Sequence, residues 1–174
     1  PIKLLGNVLV FKKIRAKLGN AFKTGVSGGG ALPPAIDAFF WAVGIKIIEG
    51  YGLTETAPVI SVRPMNKPIY GTVGAPIRSV EARIVDENDN VLPQGQKGIV
   101  QVRGATVMKG YYKRDDLTAK VMHGEWFDTG DIGMLTVDGE LVIRGRMKDT
   151  IVRRGGENSE PAPIEMRLNT SRYI

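Results

Sequence analysis

The chain has no cysteine and a single histidine, His123, among 174 residues. The first absence excludes disulfides and any thiolate metal site, and it fits a reducing compartment. The second leaves too little imidazole for Ser–His catalysis or a histidine-rich metal centre. No apolar run approaches the roughly 18–20 residues of a membrane span. The opening "PIKLLGNVLVFKKIRAKLGN" mixes basic residues into its apolar pattern. It lacks the uninterrupted apolar core and small-residue cleavage site of a signal peptide. The first residue is not Met and the chain stops after "IEMRLNTSRYI", so both ends read as cut from something longer.

What is present is globular in character. Hydrophobic residues make up 43%, well above the disordered regime. The length suits one domain or part of a larger one. The 22 glycines cluster in short motifs, which reads as tight loops and not low complexity. The net charge is +6, concentrated in "FKKIRAK" (11–17) and in 144–154. No basic-aromatic pattern of a nucleic-acid module accompanies it, so solvated surface charge is the preferred reading and no nucleic-acid partner is expected.

Two grammars follow one another along the chain. Val10, Phe11, Ile14 and Leu18 form a helical stripe over 8–18, with Gly19 as its stop. "FKTGVS" reads as a strand entering a glycine turn. Pro33–Pro34 opens a helix with Ile36, Phe39, Phe40 and Val43 on its apolar face, closed by Gly44. "IKIIEG" reads as a buried strand. From Val73 onward short strands take over: "VEARIVD", "IVQVRG" and "MLTVDGELVIRGR", the last predicted as a hairpin with a type I′ turn at Asp138–Gly139. "KRDDLTAKVM" is the helical interruption. After 146, "KDTIVRR" reads as a strand, "GGEN" as a turn and "PAPIEMRL" as a helix with nothing after it to pack on.

Four stretches could carry chemistry. In "SGGGALPP" (27–34), Gly28, Gly29 and Gly30 lie between strand and helix, where backbone N–H groups can approach a ligand. It matches neither GxGxxG nor the GxxxxGK[ST] loop, and a plain tight turn is the competing reading. In "GYGLTET" (50–56), Gly50 and Gly52 leave the Tyr51 ring open to stack on a flat base. Thr54 and Thr56 offer hydroxyls to phosphate, and Glu55 can coordinate magnesium. The competing reading is a surface turn with Tyr51 in the core. In "WFDTGDIG" (126–133), the Asp131 carboxylate can accept from both ribose hydroxyls, while Asp128 reads as a turn cap. A two-carboxylate metal or glycosidase site is the alternative. In "RGRMKD" (144–149), the Arg146 guanidinium can bridge ribose or phosphate oxygens, against a solvated strand end. "RRGGENSEP" (153–161) repeats the glycine-turn device beside two arginines.

In order and spacing, "GVSGGGALPPAIDAFF", "EGYGLTET", "WFDTGDIG", "GRMKDTIV" and "GGENSEPAPIE" resemble the adenylate-forming (AMP-binding) superfamily, most of all its long-chain fatty acid–CoA ligases. The resemblance covers essentially the whole chain. It implies ATP, magnesium and CoA as cofactors or co-substrates and a long-chain fatty acid as the acid. The acid attacks the α-phosphate of ATP, giving acyl-adenylate and pyrophosphate, and the CoA thiol then displaces AMP. Carried onto these positions, Gly28, Gly29 and Gly30 border the adenine and acyl pocket. Tyr51, beside Gly52, stacks on adenine. Thr54 contacts phosphate and Glu55 binds magnesium. Asp131 and Arg146 grip the ribose. Lys148 is the hinge of a swinging C-terminal domain, and Gly155 and Gly156 fall in a loop brought in for thioester formation.

The resemblance also implies an α/β plus antiparallel β fold. Residues 1–72 would be the α/β remainder of the AMP-binding N-terminal domain, 73–145 a small distorted β-barrel, and 146–174 the hinge and start of the C-terminal domain. The tail from 146 is expected to pair as a hairpin or lie unordered. The Ser/Thr/Gly-rich phosphate loop and the C-terminal lysine of the family are absent, so this stretch alone is expected to turn over little. A cytoplasmic location is expected, with peripheral membrane contact compatible with greasy substrates and self-association through exposed apolar surface. The rival readings are an adenylating relative with another acid, and a non-catalytic nucleotide- or acyl-binding module.

Overall fold

The computed structural model describes residues 6, 10–19, 21–152, 158–169 and 171. Helix α1, Lys12–Lys17, buries none of its residues, and Val10 and Leu18 of its expected apolar stripe are exposed. Strand β1, Thr24–Ser27, leads through the glycine turn to helix α2, Pro34–Val43, and on to β2, Lys46–Tyr51. β1 and β2 run parallel, from Thr24 opposite Lys46 to Ser27 opposite Glu49. Parallel neighbours cannot be joined by a tight turn, and α2 fills the long crossover between them. β2 also pairs antiparallel with β3, Ser61–Val62.

Helix α2 begins after Pro33 and ends at Gly44, as its sequence predicts, but only part of its expected apolar face turns inward: Val43 is buried and Phe40 half-buried. Ile36 and Phe39 are exposed, and the buried residues are Asp37 and Val43. The reason is Arg63, buried against β2. Its guanidinium donates to both Asp37 oxygens, at 2.8 and 2.9 Å, and to the Ile47 carbonyl at 3.0 Å. A buried guanidinium requires a charged partner on the element above it.

The second unit is an antiparallel, curled sheet. β4 (Val80–Val85) pairs with β5 (Gly98–Gly104), and β5 pairs with the long β7 (Trp126–Leu135). The other edge of β7 is shared in succession by β6 (Met122–His123) and β8 (Leu141–Arg146). Helix α3, Asp115–Val121, enters β6 directly. The core is Ile60, Val80, Ile84, Val100, Val102, Phe127 and Leu141. Ile60 comes from the first unit, and Tyr51 and Leu53 pack on the same cluster. Residues 73–77 stitch the units together: Val73 and Gly74 bond the Leu141 backbone, and Ile77 bonds Ile60. The mixed α/β class with an antiparallel sheet is the one expected.

The hairpin between β7 and β8 is not closed by a type I′ turn. That turn needs positive φ at both central residues. Here only Gly139 has it, at 78°. The Thr136 carbonyl accepts from Gly139 N–H, and Thr136 N–H donates to the Glu140 carbonyl, which makes a three-residue loop with glycine at its left-handed position. Beyond Arg146, β9 (Ile151–Val152) and β10 (Asn158–Ser159) form an antiparallel pair. Helix α4, Pro161–Leu168, follows, its entrance tied back by a 2.7 Å ion pair between Lys97 and Glu160. The predicted "GGEN" turn, with Gly155 and Gly156, lies outside the described residues.

Candidate functional site

The chain must leave β2 abruptly, because Pro58 and Ile60 fold back over Gly52. A Cβ on Gly52 would sit 1.8 Å from the Pro58 carbonyl oxygen and 2.9 Å from the Ile60 nitrogen. Only glycine permits that approach. The reversal produces a 3₁₀ turn at Thr54–Thr56. Thr56 is buried and caps the turn, accepting from Leu53 N–H at 3.0 Å and donating to the Leu53 carbonyl at 2.9 Å. The expectation that Thr56 offers its hydroxyl to phosphate is therefore corrected: the side chain is spent on the turn. Thr54, two residues earlier, is exposed.

A cleft of about 830 Å³ opens above this turn. One wall is Gly28 and Gly29, another the stretch from Gly50 to Glu55, and a third the end of β8 with Arg146, Met147 and Lys148. Thus Gly28, Gly29, Tyr51, Gly52, Thr54, Glu55, Arg146 and Lys148 meet at one cleft although they come from three distant stretches. Gly30 does not line it; a Cβ there would meet nothing within 4 Å. The glycine turn itself is held from behind, where Leu32 N–H donates to Glu49 Oε1 at 3.2 Å.

Asp131 lies under the cleft, only 4% exposed. Its two oxygens already have protein partners. The Tyr51 hydroxyl donates to Oδ2 at 2.6 Å, and Arg146 Nε stands 3.2 Å from Oδ1. Burial holds the Asp131 carboxyl above its ordinary range, against the opposing pull of Tyr51 and Arg146. Burial, then the neighbouring Asp131 charge, pushes the Tyr51 phenol up as well, so it stays a donor. Asp128 accepts from Gly130 N–H at 2.7 Å, the turn-capping role read from its spacing.

Glu55 accepts from the Tyr111 hydroxyl at 2.9 Å through Oε1. Among the described residues no group of three or more His, Cys, Asp or Glu side chains converges as a metal cage. Glu55 and Asp128 are the carboxylates that line the cleft, and so small a set suits magnesium, which takes one or two carboxylates and draws its other ligands from phosphates and water. Tyr111 was not singled out from the sequence. "KGYYKR" shows no helical or alternating pattern, and only the fold places it opposite Glu55. Nor did the spacing of Asp37, Glu49 and Arg63 announce their buried cluster. Among the described residues no helix is long and apolar enough to cross a membrane.

Residues 5–112 match the family model described as AMP-binding enzyme. The chain is 48% identical to a probable acyl-activating enzyme 16, chloroplastic, of Arabidopsis thaliana, over 100% of this chain and 26% of that protein. It is 45% identical to a long-chain-fatty-acid–[acyl-carrier-protein] ligase, AEE15, of the same plant, over 100% of this chain and 25% of that protein. A long-chain-fatty-acid–CoA ligase, FadD15, of Mycobacterium tuberculosis is 38% identical over 95% of this chain and 26% of that protein. The chain thus spans about a quarter of the length of the curated relatives it matches. Among solved structures, an anthranilate CoA ligase in complex with anthranoyl-AMP superposes with a TM-score of 0.78 at 29% identity, over 87% of this chain and 30% of that one. An O-succinylbenzoate coenzyme A synthetase from Bacillus subtilis in complex with AMP gives 0.78 at 27%, over 92% of this chain and 35% of that one.

Proposed function

The chain belongs to the AMP-binding enzyme family, and on that premise we propose that it is the nucleotide-holding middle segment of an ATP-dependent ligase for long-chain fatty acids. A carboxylate oxygen attacks the α-phosphorus of ATP, the bond to the pyrophosphate oxygen breaks, and acyl-adenylate remains. A thiol sulfur then attacks the acyl carbon and AMP leaves. The two long-chain ligases among the relatives described above support the acid, and the anthranilate enzyme marks the range of acids the fold accepts.

The observation that carries this reading is the cleft that gathers Gly28, Gly29, Tyr51, Thr54, Glu55, Arg146 and Lys148 above the buried Asp131. In the proposed assignment the Tyr51 ring packs on adenine, while its hydroxyl keeps Asp131 oriented toward the ribose. Arg146, which lines the cleft beside Asp131, bonds the ribose hydroxyls. Thr54 bonds a phosphate oxygen. Glu55 would hold magnesium, which when bound supplies charge neutralisation on the phosphates. Such a displacement depends on positioning and electrostatics more than on covalent help from the protein. Lys148, after β8, serves as the hinge, with 1–72 and 73–145 as the two parts of the nucleotide domain and 146–174 as the start of the next.

A second thiol acceptor has a specific observation behind it. The relative named as an acyl-carrier-protein ligase is more similar, at 45%, than the CoA ligase at 38%. Exchange of labelled pyrophosphate into ATP by the full-length protein tests the acid half-reaction, with palmitate expected to stimulate it well above benzoate or acetate. Exchange driven equally by benzoate would move the substrate to another acid, and no exchange with any acid would overturn the reading. The 174-residue chain alone is expected to exchange little, since it carries no Ser/Thr/Gly-rich phosphate loop. Loss of one such positioning element costs roughly 10²–10³ in rate. CoA against acyl-carrier protein in a thioester assay then identifies the acceptor.

A further inference from the structure

We propose that Tyr111 is a positioning residue for Glu55, fixing one carboxylate oxygen so that the other is available to a phosphate-bound divalent cation. This rests on the reading of Glu55 as the cation's protein ligand. Both residues line the cleft. The Tyr111 hydroxyl donates to Glu55 Oε1 at 2.9 Å, and Met108 N–H donates to the Glu55 main-chain oxygen at 2.8 Å. The same short segment therefore grips Glu55 twice, at its backbone and at its carboxylate. Tyr111 is braced in turn by helix α3. Its own N–H donates to Thr118 Oγ1 at 2.9 Å, and its carbonyl accepts from Arg114 N–H at 3.1 Å.

The choice of donor matters. A lysine or arginine opposite Glu55 would neutralise the carboxylate and compete with a cation for it. A phenol donates a hydrogen bond and leaves the full negative charge in place. A free glutamate would lose rotamer entropy when it ligates the cation, and one already held by Tyr111 loses less. Groups that orient a metal ligand in this way typically change metal affinity by about 10–100-fold when removed.

The test is electron paramagnetic resonance titration of Mn²⁺ into the ATP complex of the full-length protein, for wild type, Glu55→Gln, Tyr111→Phe and the double variant. Tyr111→Phe is expected to weaken Mn²⁺ binding about tenfold, the lower end for such groups, with ATP affinity in chelator unchanged. Because Tyr111 acts through Glu55, the double variant should bind Mn²⁺ no worse than Glu55→Gln alone. Glu55→Asp keeps the charge but withdraws it from Tyr111, and it should lose as much as Tyr111→Phe. It serves as the second variant if the phenylalanine protein does not fold. A weakened Glu55→Gln beside an unaffected Tyr111→Phe, or wild-type affinity in Glu55→Asp, overturns the role of Tyr111 and leaves the reading of Glu55 standing. Additive losses in the double variant overturn it too, since they would mean a merely structural effect. Wild-type affinity in Glu55→Gln removes the reading of Glu55 and this proposal with it.

Discussion

The Tyr51 hydroxyl donates to Asp131 Oδ2 across 2.6 Å, joining positions 80 residues apart. The bond ties the end of β2, in the parallel unit, to the middle of β7, in the antiparallel one. Tyr51 and Arg146 both line the cleft, so Asp131 anchors two of its walls from below.

Tyr51→Phe keeps the ring against the core cluster but leaves a buried carboxylate oxygen without its donor. Hydrogen bonds to charged groups contribute about 1.5–3 kcal/mol, so a loss of that order is expected in urea unfolding. Stability equal to wild type would mean that Arg146 or water replaces the phenol at no cost.

The pH dependence of stability follows from Asp131. Its carboxyl is raised in the folded state by burial. The folded chain therefore holds that proton more tightly than the unfolded chain. As pH rises from the ordinary carboxylate value through the raised one, the unfolded state ionises first and stability falls. Asp131→Asn removes this contribution. The difference in unfolding free energy, wild type minus variant, should decline across that window and be flat above it. A difference that grows with pH would reverse the sign assigned to the site.

Arg63 is 1% exposed, with Asp37 and Glu49 as its ion partners. Arg63→Met should cost about 3–5 kcal/mol, because it strands a buried charge. Adding Asp37→Leu should restore part of the loss, since an apolar pair removes the stranded charge on α2. Glu49 is already raised by burial and is lowered in part by Arg63, so its carboxyl should titrate higher still in Arg63→Met. Chemical denaturation and carboxylate NMR read the two effects, and a double variant less stable than the single would contradict this account.

Gly52 and Gly30 separate two uses of glycine. Gly52→Ala forces a Cβ into the Pro58 carbonyl, and a loss of more than about 3 kcal/mol is expected, at or beyond the upper end for overpacking. Gly30→Ala meets open space without a positive φ, and its effect should stay within about 1 kcal/mol, with stabilisation the expected sign. Thermal melts of the two proteins suffice, and equal effects would mean that the turn at Gly52 relaxes to admit the methyl group.

Local order was legible in the sequence. Pro33–Pro34 and Gly44 bracket helix α2 because proline suits a first turn and a left-handed glycine suits an end. Alternation in "VEARIVD" and "IVQVRG" marks strands because side chains reverse face at each residue. The motifs at 27–34, 50–56, 126–133 and 144–149 named most of the cleft, because close backbone approaches such as the one at Gly52 leave room for glycine alone. The buried Asp37 of α2, the inward Thr56, the three-residue loop at Gly139 and the pairing of Tyr111 with Glu55 were not legible. Each is decided by a partner distant in the chain or by backbone angles that periodicity does not encode. Composition and spacing by themselves determined which segments bend and which extend. The tertiary structure alone decided which charges meet, because a buried Arg63 or Asp131 must find its counter-group wherever the packing puts one.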